Sequence, residues 1–343
     1  MRMRAIVLVL LVCGLASASL AQGYDALVRE AESKIMAKQY AEALALYEKA
    51  FKTGEFNYND FYNAACASAQ LGKSDVAYEY LFKAIDAGFL DGDLLKRDPD
   101  LESLRAGAKW RAVADSVQKK LEVMEKSFPE TRATGPVIDL PAPRLEGTVS
   151  VEAALANRRS IRTYVTKPLT LADVSQLLWS AYGITKTFDN MPPFVRGGLR
   201  TAPSAGGRYP LDLYLAAFNV TDLPPGIYWY NSETHKLVRI LEGDRRKDVS
   251  KACFDQPQFE TASAAIVYSA VYERTMSKYG QRGRDRYVCM DLGHSAENVY
   301  LQAYALKIGT CAIGAFTDLW LKKAVGMTRA EEPLYVMPVG KVE

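Results

Sequence analysis

Pro203-Ser204-Ala205-Gly206-Gly207-Arg208-Tyr209-Pro210 is the stretch on which the reading of this chain turns. Its two adjacent glycines let backbone approach a flat ligand with no side chain in the way. Upstream stands Arg158-Arg159-Ser160-Ile161-Arg162, and downstream Gly309-Thr310-Cys311-Ala312-Ile313-Gly314-Ala315-Phe316. Clustered arginines supply planar, permanently charged forks that suit a phosphate. A flat cofactor with a phosphate at one end needs both features, and these segments supply them together.

Around these segments the pattern predicts strands at 211–218, 226–230, 236–240, 264–271 and 334–339, rich in β-branched and aromatic residues. Helices are expected at 151–156, 171–182, 245–254 and 291–308. In the second of these, Val174, Leu177, Leu178 and Ala181 recur at the spacing of a buried face, and Thr170 with Asp173 suits its start. Strands and helices without regular alternation argue for an α+β domain over a doubly wound one. No Gly-x-Gly-x-x-Gly turn follows an early strand, which argues against a Rossmann site.

Toward the start, residues 1–21 read as an export signal: Arg2 and Arg4, an apolar run from Ala5 to Leu15, then small residues around Ala21. The expected location is therefore exported, periplasmic or extracellular. No later segment reaches the roughly 18 uninterrupted apolar residues of a membrane span. Residues 24–126 form a helical domain whose repeat has a spacing of 34: Ala31 matches Ala65, Ala43 matches Ala77, Lys49 matches Lys83 and Ala50 matches Ala84. That is the tetratricopeptide period. This arm is either a spacer that supports a dimer or a docking surface for another polypeptide. Residues 127–149, with Pro129, Pro136, Pro141 and Pro143, read as a linker, and 150–343 as the second domain.

Bulk composition narrows the function classes. Of 43 basic residues Arg2 and Arg4 lie in the signal, which leaves 41 against 40 acidic ones and no case for a nucleic-acid binder. The cysteines at 66, 253, 289 and 311 lack the close pairing of a zinc or dithiol site and are expected as buried small hydrophobes. No metal is expected.

From about residue 150 onward the chain resembles the FMN-dependent nitroreductase superfamily, and within it the SagB-type branch related to azoline dehydrogenases. The resemblance is carried by Arg-Arg-Ser-Ile-Arg at 158–162, the Pro-Ser-Ala-Gly-Gly-Arg-Tyr-Pro run, Lys278-Tyr279-Gly280 with Arg286-Tyr287, Gly293-His294-Ser295-Ala296-Glu297-Asn298 and Ile313-Gly314-Ala315-Phe316. It implies a nitroreductase-like α+β fold, an antiparallel-rich mixed sheet flanked by helices, preceded by an all-α tetratricopeptide-like arm. It further implies that Arg158, Arg159, Ser160 and Arg162 grip the phosphate end of FMN. Pro203, Ser204, Ala205, Gly206, Gly207 and Arg208 would run beside the flavin ring, and Gly314 and Ala315 would present amides to it, where prepositioned donors stabilise the charge of the reduced ring. Many nitroreductases carry an asparagine where this chain has Gly207.

In the azoline dehydrogenase branch a pair matching Lys278 and Tyr279 is associated with acid-base work; the same residues also read as an ordinary exposed loop. His294 is expected to open its helix as a capping or interface residue, with Glu297 and Asn298 alike structural, and His235 to sit on the surface of a turn. Family members are commonly homodimers with FMN at the junction, so a homodimer is expected. Two functions follow: an exported FMN-dependent oxidoreductase acting on a small molecule or peptide, or an interaction protein that works through its helical arm.

Overall fold

The computed structural model describes residues 23–54 and 56–343. The expected export signal lies outside them. The chain divides into two compact units, one reaching to Met124 and the other Glu125–Glu343.

The first unit is helical: α1 (23–36), α2 (Tyr40–Phe51), α3 (Tyr58–Gln70), α4 (Ser74–Ala87), α5 (Gly92–Arg97), a 3-10 turn Pro99–Leu104 and α6 (Trp110–Ser127), whose last residues belong to the second unit. Ala31, Ala43, Ala50, Ala65, Ala77 and Ala84 are all fully buried. A methyl group at each lets neighbouring helices approach closely. Phe51 and Phe61 fill the gap beside them with ring centroids 4.4 Å apart, and Tyr62 and Phe89 meet at 4.6 Å. Asn57 caps α3 by accepting the Asn59 amide, and Gly88 ends α4 at a φ of 114° that side chains disfavour. No helix among the described residues is long and apolar enough to cross a membrane.

The second unit is built on a seven-stranded sheet. Its elements run β1 (Val137–Asp139), α7 (Val151–Asn157), α8 (Leu171–Tyr182), β2 (Ile184–Lys186), β3 (Leu199–Arg200), β4 (Leu211–Ala217), β5 (Gly226–Asn231), β6 (Lys236–Glu242), α9 (Arg246–Ala252), α10 (Gln258–Thr261), β7 (Ala264–Ala270), α11 (Glu273–Tyr279), α12 (Val288–Ala305), β8 (Ile308–Thr310), α13 (Asp318–Val325) and β9 (Glu332–Lys341). The strand order is β1-β6-β5-β4-β7-β9-β8, with β2 and β3 forming a separate ribbon. Every ladder is antiparallel.

The central strands β4 and β7 are buried on both faces, so apart from Asp212 and Ser269 their sequences are apolar without alternation. Leu211, Leu213 and Leu215 point to one face, where α8 and α12 bring Val174, Leu177, Leu178, Val288 and Val299. Tyr214 and Ala216 point to the other, where α9 and α13 bring Val249, Leu321 and Val325. This three-layer arrangement lays one face of α12 on the sheet, with Val288, Asp291, Leu292, Ser295, Ala296, Val299 and Ala303 buried, and α12 organises the site.

The proline-containing segment does more than connect. It supplies the edge strand β1, and its Arg132 enters the unit to meet two buried carboxylates, 2.7 Å from Glu331 and 3.3 Å from Asp212. Glu331 is fully buried and also takes the hydroxyls of Tyr214, Ser269 and Thr328. Asp212 is held by Arg196 and Arg274 as well. Burial pushes the Asp212 carboxyl up, but these three guanidinium groups outweigh it and hold the group below its ordinary range.

Candidate functional site

One helix, α12, anchors three of the segments the sequence singled out, 158–162, 203–210 and 309–316. Near its start Asp291, only 2% exposed, accepts the Ser204 hydroxyl at 2.5 Å and the Ala205 amide at 3.2 Å. Ser204 in turn accepts the Tyr209 amide at 2.8 Å, so the loop 203–209 is pinned at both ends. Two turns further on, Asn298 donates to the Thr201 carbonyl at 3.2 Å. Glu297 takes the Arg158 Nε at 3.1 Å, with the guanidinium 5.2 Å from the Tyr300 ring. The Tyr300 hydroxyl accepts the Ala312 amide at 2.7 Å and lies 3.1 Å from Ser160 Oγ. Either hydroxyl can donate in this contact, and with Tyr300 as donor the serine proton is left for an incoming anion.

The arginine cluster therefore separates by role. Arg158 is committed to Glu297, and Arg159 donates to the Ala156 and Arg158 carbonyls. Among the described residues neither Arg159 nor Arg162 has a carboxylate in ion-pair range. Arg159, Ser160 and Arg162 are exposed. Such a donor set fits a phosphate: the Arg162 fork and the outer Nη2 of Arg159, whose Nη1 is held by backbone carbonyls, beside a hydroxyl.

At the other end the glycines leave the backbone bare. Gly206 and Gly207 adopt φ of 61° and 64°, where side chains are strained. A Cβ added at Gly206 would lie 2.5 Å from the Tyr279 hydroxyl and 2.8 Å from Lys278 Nζ. Lys278 and Tyr279, 70 or so residues downstream, thus converge on Gly206. They end α11 instead of lying in a loop, and a π-helical turn, Gly283–Tyr287, follows. Arg208 stacks its guanidinium 4.2 Å from the Phe194 ring, and its buried Nε has no acceptor among the described residues. Gly314 and Ala315 are exposed, in a segment pinned by paired Ile313 and Val336 backbone bonds. An added Cβ at Gly314 would meet only Tyr335, at 3.5 Å. The bare loop and this open backbone fit a planar ring as the arginines fit a phosphate.

Other expectations need correction. His294 lies inside α12, which begins at Val288, and does not open it. His235 does occupy the β5–β6 turn, but it is half-buried: Nδ1 lies 2.8 Å from Tyr230 Oη, while Nε2 lies 2.8 Å from Ser175 Oγ and 3.1 Å from the Pro141 carbonyl. Burial, opposed by the Pro141 carbonyl, holds its pKa below the ordinary value. Cys66, Cys253 and Cys311 are buried, but Cys289 is exposed. Asp291 and Tyr300 were missed altogether. The sequence held one clue to Asp291, a carboxylate at helical spacing from Val288, Leu292 and Ser295 on a face otherwise fit for burial.

Comparison with known proteins follows the same boundaries. A family profile described as the Nitroreductase family matches residues 155–341, which contain every candidate site residue. The chain is 38% identical over 207 residues to a candidate nitroreductase of Methanocaldococcus jannaschii, covering 60% of this chain and 98% of that one. It is 27% identical over 242 residues to the trifolitoxin-processing protein TfxB of Rhizobium leguminosarum, covering 67% of this chain but 60% of that protein. Among solved structures it is similar to a candidate nitroreductase of Ralstonia eutropha, with a TM-score of 0.51, 26% identity, and coverage of 63% of this chain and 94% of that one.

Proposed function

The chain belongs to the nitroreductase family, and from that premise we propose that it is an exported FMN-dependent oxidoreductase of the SagB-type branch, acting as a homodimer on a small molecule or peptide. The single observation that carries this reading is the union, on one helix, of a phosphate-type donor set at Arg159, Ser160 and Arg162 with bare backbone at Gly206 and Gly314. Bound FMN would supply two-electron transfer between one substrate and another. In this reading Arg159, Arg162 and the Ser160 proton hold the phosphate, and the amides near Gly314 and Ala315 face the ring. Lys278 Nζ and Tyr279 Oη, meeting beside Gly206, give or take the proton that accompanies electron transfer.

The likeness to TfxB supports the SagB-type assignment. Exposed apolar residues on α7 and α12, with Val151 at 64%, Leu155 at 55% and Met290 at 50%, support the dimer. The 34-residue spacing of buried alanines supports a tetratricopeptide-like arm, and residues 1–21 support export. To test the cofactor assignment, FMN and riboflavin, which lacks the phosphate, are titrated against the purified chain. Wild type should prefer FMN, and Arg162→Ala should lose about tenfold of that preference, as expected for one charge-assisted contact. Equal affinity for the two flavins would overturn the assignment of the phosphate grip.

A further inference from the structure

We propose that the substrate carries a carboxylate and that Arg282 receives it. This rests on the reading that Gly206 borders the reacting centre. From Gly206 a row of contacts runs outward. The Tyr279 hydroxyl lies at Gly206, and the Tyr279 ring meets Tyr287 edge-on with centroids 4.8 Å apart. Tyr287 accepts the Arg282 Nε at 2.9 Å, with the guanidinium carbon 5.5 Å from its ring. The π-helical turn places residues 282 and 287 together, and such turns recur at functional sites. It is also rigidly backed: a Cβ at the buried Gly283 would lie 3.0 Å from the Thr275 backbone.

Arg282 is thus anchored by its inner nitrogen while its outer fork stays uncommitted. Among the described residues no carboxylate pairs with Lys278, Arg282, Arg284, Arg286 or Arg208. Elsewhere in the unit the pattern is the reverse, as Arg132, Arg196 and Arg274 share Asp212. The one acid within 278–287, Asp285, is bound by Gln281 and neutralises none of the four cations there. Unpaired like charges repel one another, so a cluster left unneutralised within reach of a reactive loop is suited to an anion. A guanidinium fork matches two coplanar oxygens, the geometry of a carboxylate.

The test compares 4-nitrobenzoate with 4-nitrobenzyl alcohol, which share a ring and a nitro group and differ in charge. Dissociation constants are measured by equilibrium dialysis on the FMN-treated full chain, and kcat/KM for both is measured alongside. Wild type should bind the anion about tenfold more tightly, and Arg282→Gln should remove most of that preference while changing the alcohol less than twofold. Raising salt should weaken the anion alone. Arg282→Lys, which keeps the charge but loses the fork and the Tyr287 bond, should recover only part of the preference and serves if the glutamine variant misfolds. Equal affinities in wild type, no binding of either compound at millimolar concentration, or an unchanged preference in both variants would overturn the proposal. Dialysis on the untreated chain reads the same charge preference, so failure to bind FMN is distinguished from failure of the carboxylate site.

Discussion

Asp291 holds the Ser204 hydroxyl at 2.5 Å and so ties the glycine loop to the buried face of α12. Burial pushes its carboxyl up, with Ser204 and Ala205 pulling it partly back. The folded state therefore keeps this proton more tightly than the unfolded chain, and ionisation costs stability as pH rises from the ordinary carboxylate value, about 3.9, through the raised one. Asp291→Asn should flatten that fall in thermal unfolding measured between about pH 4 and pH 7. Asp291→Ala, which leaves both donors unmet, should cost about 1–3 kcal/mol and weaken FMN retention.

The two glycines should respond differently to substitution. At Gly206 an added methyl group meets the Tyr279 hydroxyl at 2.5 Å, so Gly206→Ala should displace the Lys278–Tyr279 pair and lower turnover well beyond any loss of stability. At Gly207 the nearest atoms to an added Cβ are Val195 at 3.8 Å and Phe194 at 3.9 Å. Asparagine tolerates positive φ better than most residues, so Gly207→Asn should fold normally. Paired melting curves and dye-reduction rates check both.

Arg132 is the cation that Glu331 and Asp212 share, stacked 4.2 Å from the Trp229 ring. Removing it leaves buried carboxylates short of a partner, and Arg132→Met should destabilise by about 3–5 kcal/mol in chemical denaturation. A loss below 1 kcal/mol would mean that the segment is a mere connection.

His235 stitches Pro141 to Ser175 and Tyr230 as a largely neutral ring. Because its folded pKa lies below the ordinary value of about 6.5, its contribution is present above that value and lost as pH falls through the folded one. His235→Ala should cost about 1–2 kcal/mol at neutral pH and remove this acid-side slope.

Much of this was legible in the sequence for identifiable reasons. The helix predicted at 171–182 coincides with α8, because its apolar spacing and its Thr170–Asp173 capping box are local signals. The strands at 211–218 and 264–271 are visible because burial on both faces makes them apolar at every position but Asp212 and Ser269. β1 was hidden in a proline-rich segment, since an edge strand of three residues needs little local propensity once β6 offers a partner. α11 is hard to see in the sequence because it is short and polar, and Lys278, Tyr279 and Gly280 at its end read equally as a loop. The loops at 158–162, 203–208 and 314–315 were found by composition. Their common support was not, since Asp291 and Tyr300 act on residues 87 and 140 positions away. A single sequence carries no trace of such pairings.

The central claim is that these loops enclose FMN, and the visible spectrum of the chain tests it most directly. After incubation with excess FMN and gel filtration, the protein should elute yellow with close to one flavin per chain. A colourless protein fraction, with all the flavin in the small-molecule volume, would contradict it.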